Sequence, residues 1–151
     1  AWPGLWKAPQ LCVAGALGFY IIGVTWFARN EAGQSRRGLL AAAMLVVNAG
    51  LAGLVVLALF YPWDSQPVGR DRQVVTLILA VSILSINRRL VAAVADPAPA
   101  RVQSAVRTMI LSLIVLDASI VLIATREPIL AIATVALLLP AVLLGRWVFV
   151  M

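Results

Sequence analysis

The sequence has no histidine and only one cysteine, Cys12, among its 151 residues. Without histidine the chain lacks the commonest general base and the commonest zinc ligand. A single thiol allows neither an internal disulfide nor a thiolate metal site. The two absences therefore exclude histidine-based catalysis, a zinc centre of the usual kind and a disulfide framework.

Charged residues are scarce, at 12% of the chain, whereas apolar residues make up 63% and the mean hydropathy is +1.02. Average soluble domains have about 25% charged and about 45–50% apolar residues. A globule of this size leaves much of its surface in contact with solvent, so such an excess cannot be buried inside it. The composition excludes a soluble enzyme and a disordered chain, and it indicates that the solvent is largely lipid.

Five long apolar stretches cover most of the chain. Each approaches the roughly 20 residues that a helix needs to cross a bilayer core of about 30 Å. Their backbone groups must bond within the segment, so each stretch is predicted to be a helix. The predicted spans are residues 9–27, 39–60, 74–94, 102–124 and 129–151. The sequence thus predicts an all-α, polytopic transmembrane helical bundle of about five spans that forms a single domain.

The third and fifth stretches contain residues that interrupt their apolar pattern. The apolar run of the third stretch ends at Ile86, and Asn87, Arg88 and Arg89 follow. We expect this helix to leave the bilayer near Arg88 and to continue as an amphipathic turn or two. In the fifth stretch, Pro140 is expected to kink the helix without breaking it.

The positions of the basic residues predict the orientation in the membrane. Eight of the twelve lie on the side of the first and third loops, which the positive-inside rule assigns to the cytoplasm. The predicted topology has the N-terminus outside, the C-terminus inside and no nucleic-acid partner, although the net charge is +6. The first residues read as the exit of an earlier loop. We therefore expect the chain to be the carboxyl-terminal part of a longer protein whose upstream helices are missing here.

Two basic clusters are predicted on the cytoplasmic face. In the simpler interpretation they are positive-inside residues that contact anionic lipid headgroups. In the functional interpretation both clusters face one cavity and bind a diphosphate, because arginine grips phosphate oxygens with two hydrogen bonds. Glu31 would then ligate Mg²⁺ that bridges to phosphate, whereas its simpler role is a local ion pair. The clusters are Arg29, Asn30, Glu31, Arg36 and Arg37, and Asn87, Arg88, Arg89, Arg101 and Arg107.

Inside the predicted spans, Asp117 is the residue that stands out. A charged side chain at the centre of a span costs about 2.5–3.5 kcal/mol on insertion scales, which makes Asp117 a candidate proton relay or ligand contact. The alternative is a hydrogen-bonded packing residue or one that snorkels to the outer surface. Asn48 and the serines within the spans are predicted to join helices. Two glycine pairs are predicted to allow close helix packing, namely Gly15 with Gly18 and Gly50 with Gly53.

Two stretches of the chain resemble the UbiA superfamily of intramembrane aromatic prenyltransferases. GFYIIGVTWFARNEAGQSRRG (residues 18–38) is similar to the second active-site region of that family. ILSINRRLVAAVADPAPARVQSAVRTMILSLIVLDA (residues 83–118) is similar to its penultimate helix, the short basic connection and the following helix. The second motif of the family usually has two aspartates four residues apart. Here the matching stretch offers Glu31 alone, with Phe27 and Ser35 four residues away on either side.

The resemblance implies a helical bundle in a bacterial cytoplasmic membrane whose active face is cytoplasmic. It implies a transferase that uses Mg²⁺ and moves a prenyl group from an isoprenoid diphosphate to an aromatic or lipid-like acceptor. The residues carried over as a diphosphate site are Arg29, Asn30, Arg36, Arg37 and Arg88, and Glu31 is carried over as the metal ligand. No catalytic residue is assigned, and the implied partners are membrane lipid, the two substrates and the upstream helices.

Two other functions remain open. One is a non-catalytic membrane scaffold or assembly subunit. It is favoured because Glu31 is the only carboxylate of the first cytoplasmic loop, which argues against catalysis there. The other is a small transporter, which is least favoured because the chain shows no inverted repeat. An aspartate-rich loop upstream of this chain would decide for the enzyme.

Overall fold

In the computed structural model, the described part of the chain is helical apart from the short connections. The described residues are 8–29, 37–60, 70–125, 127–140 and 142. The helices are α1 (Ala8–Arg29), α2 (Arg37–Phe60), α3 (Arg70–Ala95), α4 (Pro99–Thr125) and α5 (Pro128–Ala136). The prediction of an all-α helical bundle is confirmed.

Four of the helices, α1 to α4, are long and apolar enough to cross a membrane. Their bounds extend the first four predicted spans by a few residues at most ends. The shorter apolar segment Pro128–Pro140 corresponds to the fifth predicted span, most of whose second half lies outside the described residues. Helix α5 ends at Ala136, a single turn residue follows at Leu137, and residues 138–140 are helical again. The interruption is explained by Pro140, whose ring has no N–H to donate and clashes with the carbonyl four residues before it. It agrees with the expected kink, in which the helix is not broken.

Helices α1 to α4 form a closed antiparallel ring in which each packs against two others. The main neighbours are α1 with α2, α2 with α3, α3 with α4, and α4 with α1, while α5 packs on α4. Pairs in contact run in opposite directions along the chain, as in Gly23 with Val47 and Gly50 with Ala16. The ends of α1 and α3 and the starts of α2 and α4 therefore lie at one end of the bundle, which we call the basic end.

The core of the ring is built from residues that repeat every three or four positions along each helix. On α1 these are Ala16, Tyr20, Gly23 and Phe27. This spacing is typical of left-handed bundles, in which neighbouring helices cross at a shallow angle. The remaining apolar side chains point outwards, as Leu45 and Leu84 do at 72% exposure each, and in a membrane they face lipid.

Helix α3 continues past Arg88 to Ala95, as the expected amphipathic turns would, and this part packs on the bundle. Leu90 and Ala93, which follow the Asn87–Arg89 segment, are fully buried in the core. The segment is thus a packed part of the bundle, and its arginines are exposed on the outer side of a helix whose inner side is apolar. The reason is the three-to-four residue spacing, which keeps Ile86, Leu90 and Ala93 on one side of α3.

Candidate functional site

Six arginines of the described residues lie in the half of the bundle that contains the basic end, and all six are exposed. Arg29 is the last residue of α1 and Arg37 is the first residue of α2. The other predicted site residues of this connection, Asn30, Glu31 and Arg36, lie outside the described residues. The six are Arg29, Arg37, Arg88, Arg89, Arg101 and Arg107.

Two polar contacts join α3 to α4 at this end. Arg89 donates a hydrogen bond of 2.7 Å to Ser104 Oγ, and Arg101 forms a 3.2 Å ion pair with Asp96. Both partners of the ion pair are more than half exposed, so the pair contributes at most about 1 kcal/mol. Arg89 and Arg101 therefore each have a polar partner within the α3–α4 hairpin.

Arg88 lies farther along the bundle from the basic end than the arginines at the helix ends, because it precedes the end of α3 at Ala95 by two helical turns. It directly follows Asn87, whose side chain bonds to Asn48 in the middle of α2. Asn48 is eleven residues from Arg37, or about 17 Å along the helix axis. A guanidinium that faces hydrocarbon at the centre of a span costs about 2.5–3.5 kcal/mol, unless it reaches the interface or meets an anion or water.

The amide groups of Asn48 and Asn87 form a short network between α2 and α3. Asn48 Nδ2 donates to the carbonyl oxygen of Met44 at 2.9 Å. Asn87 Nδ2 donates to Asn48 Oδ1 at 2.9 Å and to the carbonyl oxygen of Ile83 at 3.1 Å. Asn48 therefore joins two helices, as predicted from its position within a span.

A groove with a volume of about 540 Å³ lies between α2 and α3, and it falls in the usual size range of ligand pockets. Its walls are apolar apart from Thr76 and Asn87, which lie about 17 Å apart along α3. Asn87 marks the end of the groove nearer the basic end. The lining residues are Val55, Ala58, Leu59, Thr76, Leu79, Ala80, Ile83, Leu84 and Asn87.

Arg88 is placed beside the polar end of this groove. Ala80 and Leu84 line the groove, and Arg88 is one helical turn beyond Leu84 on the same side of α3. The apolar groove thus ends at the amide of Asn87, and the next residue of α3, Arg88, carries a guanidinium. The sequence did not predict the groove, because it depends on how α2 and α3 separate. A hint was present in the polar Asn87 and Arg88 that directly follow the apolar run of α3.

A second cavity of about 260 Å³ lies between α3, α4 and α5. Ser119 is the one polar residue among its described lining residues, and the Ser119 hydroxyl donates to the carbonyl oxygen of Val115 at 2.8 Å. Asp117 is half-buried on α4 and does not line this cavity, although its neighbours Ala118 and Ser119 do. Neither of the two cavities is lined by an arginine, so the expectation that both basic clusters face one cavity stays a prediction.

The described residues contain no group of three or more histidine, cysteine or carboxylate side chains that would hold a metal ion. Glu31, the predicted metal ligand, is outside the described part. Mg²⁺ is often bound by only one or two carboxylates together with substrate phosphates. A single carboxylate in the connection between α1 and α2 therefore has the donor chemistry that such an ion requires.

Comparison of the chain with protein-family models, with curated proteins and with solved structures finds no match.

Proposed function

We propose that this chain is part of an integral-membrane prenyltransferase that binds an isoprenoid diphosphate at its basic end. The observation that carries the proposal is the position of Arg88 beside the polar end of an apolar groove. Such a site suits an amphiphilic substrate, because the groove holds its apolar chain while the guanidinium binds its phosphate oxygens. The similarity of residues 18–38 and 83–118 to the UbiA superfamily supports the same function.

The diphosphate site combines Arg88 with the connection between α1 and α2. Arg29 and Arg37 lie at the two edges of that connection, so Asn30 and Arg36 are within a few residues of the same end of the bundle. Under this proposal Glu31 would hold Mg²⁺ together with the bound diphosphate, and the ion would supply positive charge beside the leaving group. The basic end faces the cytoplasm of a bacterial cell, in keeping with the excess of arginine there.

In the transfer itself, the bond between the allylic carbon C1 and the diphosphate oxygen breaks, and its electron pair leaves with the diphosphate. The acceptor supplies the electron pair of the new bond to C1 and loses a proton to water or to the released diphosphate. Arginine side chains lower the barrier because they are already placed where negative charge develops. The apolar walls keep water from the cationic carbon.

Binding of a labelled prenyl diphosphate to the full-length protein in nanodiscs tests this function. Arg88→Ala is expected to weaken binding about 10- to 100-fold, the range for one charged hydrogen-bonded contact. Arg29→Ala is expected to weaken binding as well, and Glu31→Gln is expected to reduce the dependence on Mg²⁺. Arg101→Ala is the matched control, because this guanidinium is already paired with Asp96.

A well-folded protein that binds no prenyl diphosphate, with or without Mg²⁺, would contradict the proposal. The chain would then be better described as a non-catalytic membrane scaffold. Equal losses for Arg88→Ala and Arg101→Ala would indicate general attraction of an anion to the basic end and would contradict a site at the groove.

A further inference from the structure

Helix α4 carries a carboxylate within its apolar part, at Asp117. This residue lies eight positions before Thr125, the last residue of the helix, or about 12 Å along the helix axis. Helix α4 is about 40 Å long and a bilayer core is about 30 Å thick, so a core centred on α4 places Asp117 about 7 Å inside the hydrocarbon. Long lysine and arginine side chains reach the interface from such positions, whereas aspartate has a single methylene group between backbone and carboxylate. A carboxylate held there is stabilised by a partner within the membrane.

The described part of the chain does not supply that partner. Among the residues that the structure describes, no hydrogen bond or ion pair involves Asp117. Arg107 is the nearest described arginine along α4, and it lies ten residues, or about 15 Å, towards the basic end. The other five arginines with described side chains also lie in that half of the bundle. Neither of the two cavities described above is lined by Asp117, so neither brings water to the carboxylate.

Asp117 belongs to a side of α4 that the ring leaves partly open. We call this side the open seam, and its residues are Ile110, Leu113, Asp117, Ile120 and Ala124. Leu113 and Ile120 are partly buried against the core, whereas Ile110 is 54% exposed and Ala124 is exposed as well. Alternating steps of three and four residues are the pattern by which one helix packs along another at a shallow angle. The open seam therefore resembles a further packing surface with a carboxylate at its middle.

The open seam faces away from α3 and α5. Val115, Ala118 and Leu122 line the cavity that α4 shares with those helices. At about 100° per residue, Asp117 is turned by about 100° to 160° from each of the three. It is turned by about 80° from Met109, whose carbonyl oxygen contacts Tyr20 of α1. A helix on the open seam would thus lie against α4 next to α1.

We propose that a further transmembrane helix, outside the described residues, packs on the open seam and pairs an arginine or a lysine of its own span with Asp117. The argument is charge complementarity: apolar residues accept any helix, but a carboxylate among them favours a cation and disfavours hydrocarbon. Arginine and lysine both bring the opposite charge and donate hydrogen bonds to a carboxylate. A second copy of this chain on the same seam would instead place two carboxylates together, and these repel each other. The proposal does not rest on the proposed function.

Photo-crosslinking of the full-length protein in its native membrane tests this contact. The photoreactive amino acid p-benzoyl-phenylalanine replaces Ile110 in one protein and Ala124 in another, one on each side of Asp117. Leu45 on α2, which is 72% exposed, is replaced in the matched control. Mass spectrometry then identifies the attached molecule. We expect both seam positions to attach to one transmembrane segment with an arginine or a lysine in its apolar part, and the Leu45 position to attach to lipid.

Variants of the protein with the photoreactive group at position 110 test whether the carboxylate holds the contact. Asp117→Leu is expected to lower the yield of the adduct about 3- to 30-fold, the range for one polar contact between membrane helices. Asp117→Glu is expected to keep the yield, because the charge is retained. Asp117→Lys is expected to lower it, and a change of the basic residue in the identified segment to aspartate is expected to restore it. This exchange separates loss of the pair from loss of the fold.

Four results would overturn the proposal. The first is attachment to lipid alone at both seam positions, and the second is attachment to a segment without a basic residue or to residues 1–151 of this chain itself. The third is attachment of the same segment at the Leu45 position. The fourth is a yield that Asp117→Leu leaves unchanged, or that the reciprocal exchange of charges does not restore.

Discussion

At the scale of single residues, Tyr20 provides a polar contact between the first and the fourth helix. Its side chain is almost fully buried, and its hydroxyl donates a 2.8 Å hydrogen bond to the carbonyl oxygen of Met109. That carbonyl belongs to a helix and has a backbone partner as well, so the tyrosine adds a second bond to it. The contact links residues that are 89 positions apart.

Tyr20→Phe is expected to lower the free energy of unfolding by about 0.5–1.5 kcal/mol, because it removes one interhelical hydrogen bond and leaves the ring in place. Thr25→Val is the matched control. The hydroxyl of Thr25 bonds only within α1, to the carbonyl oxygen of Ile21, and is exposed. Unfolding by denaturant in detergent micelles measures both. Equal effects of the two changes would contradict a special role for the Tyr20–Met109 bond.

Individual polar residues within the spans were partly predictable from the sequence. Asn48 was expected to join helices, because an amide inside a span finds a partner on a neighbouring helix, and it bonds to Asn87. The third helix was expected to leave the bilayer near Arg88 and to continue as an amphipathic turn or two. Helix α3 does continue to Ala95, with Leu90 and Ala93 buried, and the point at which it leaves the bilayer stays a prediction. The contact of Asn87 with Asn48 depends on how α2 and α3 pack, which no sequence pattern contains.

At the scale of helices, glycine sets how closely α1 and α2 approach. A Cβ atom added at Gly50 would lie 2.6 Å from the backbone nitrogen of Tyr20 and 2.7 Å from the carbonyl oxygen of Ala16. A Cβ atom at Gly23 would lie 2.6 Å from the backbone nitrogen of Val47. Real Cβ atoms do not approach backbone this closely, so both positions require glycine for the observed packing.

Gly50→Ala is expected to destabilise the protein by about 1–3 kcal/mol, because the added methyl group meets backbone that can move only if the helices separate. Gly18→Ala is the control, since a Cβ atom there has no neighbour within 4 Å. It should be neutral or slightly stabilising, by up to about 1 kcal/mol, through higher helix propensity. Thermal unfolding in nanodiscs compares the two. A Gly18→Ala protein as unstable as Gly50→Ala would contradict the assigned contact.

The helices themselves were predictable, but the sides that they turn towards one another were not. Length and hydropathy located all four long helices. The helices extend beyond the predicted spans into polar flanking residues such as Arg37 and Arg70, because their backbones remain hydrogen-bonded there. In lipid the outer surface is as apolar as the core, so hydrophobic periodicity does not mark the buried side. Of the two predicted glycine pairs, Gly50 and Gly53 lie in the α1–α2 contact, whereas Gly15 and Gly18 face open space.

At the scale of the whole molecule, the ring places the ends of the helices alternately on the two sides of the membrane. Ala95 is exposed at the basic end of α3, and Thr125 is exposed at the opposite end of α4. Helix α4 separates them by 27 residues, or about 40 Å, which is more than the thickness of a bilayer core.

Single-cysteine labelling tests this arrangement in a Cys12→Ala background. Ala95→Cys is expected to react with a membrane-impermeant maleimide only from the cytoplasmic side, in inverted vesicles. Thr125→Cys is expected to react only from the outside, in intact cells. Reaction of both from one side would contradict a membrane-spanning α4, and an exchange of the two sides would show that the orientation inferred from the arginines is reversed.

The closure of the ring also has a consequence for biosynthesis. Tyr20 enters the membrane early, and its partner Met109 is synthesised 89 residues later. Until then, the glycine contacts between α1 and α2 already stabilise the first hairpin, and the α3–α4 hairpin is still incomplete. The contacts between α1 and α2 can therefore form before α4 exists, whereas α4 can dock against α1 only after Met109 has been made.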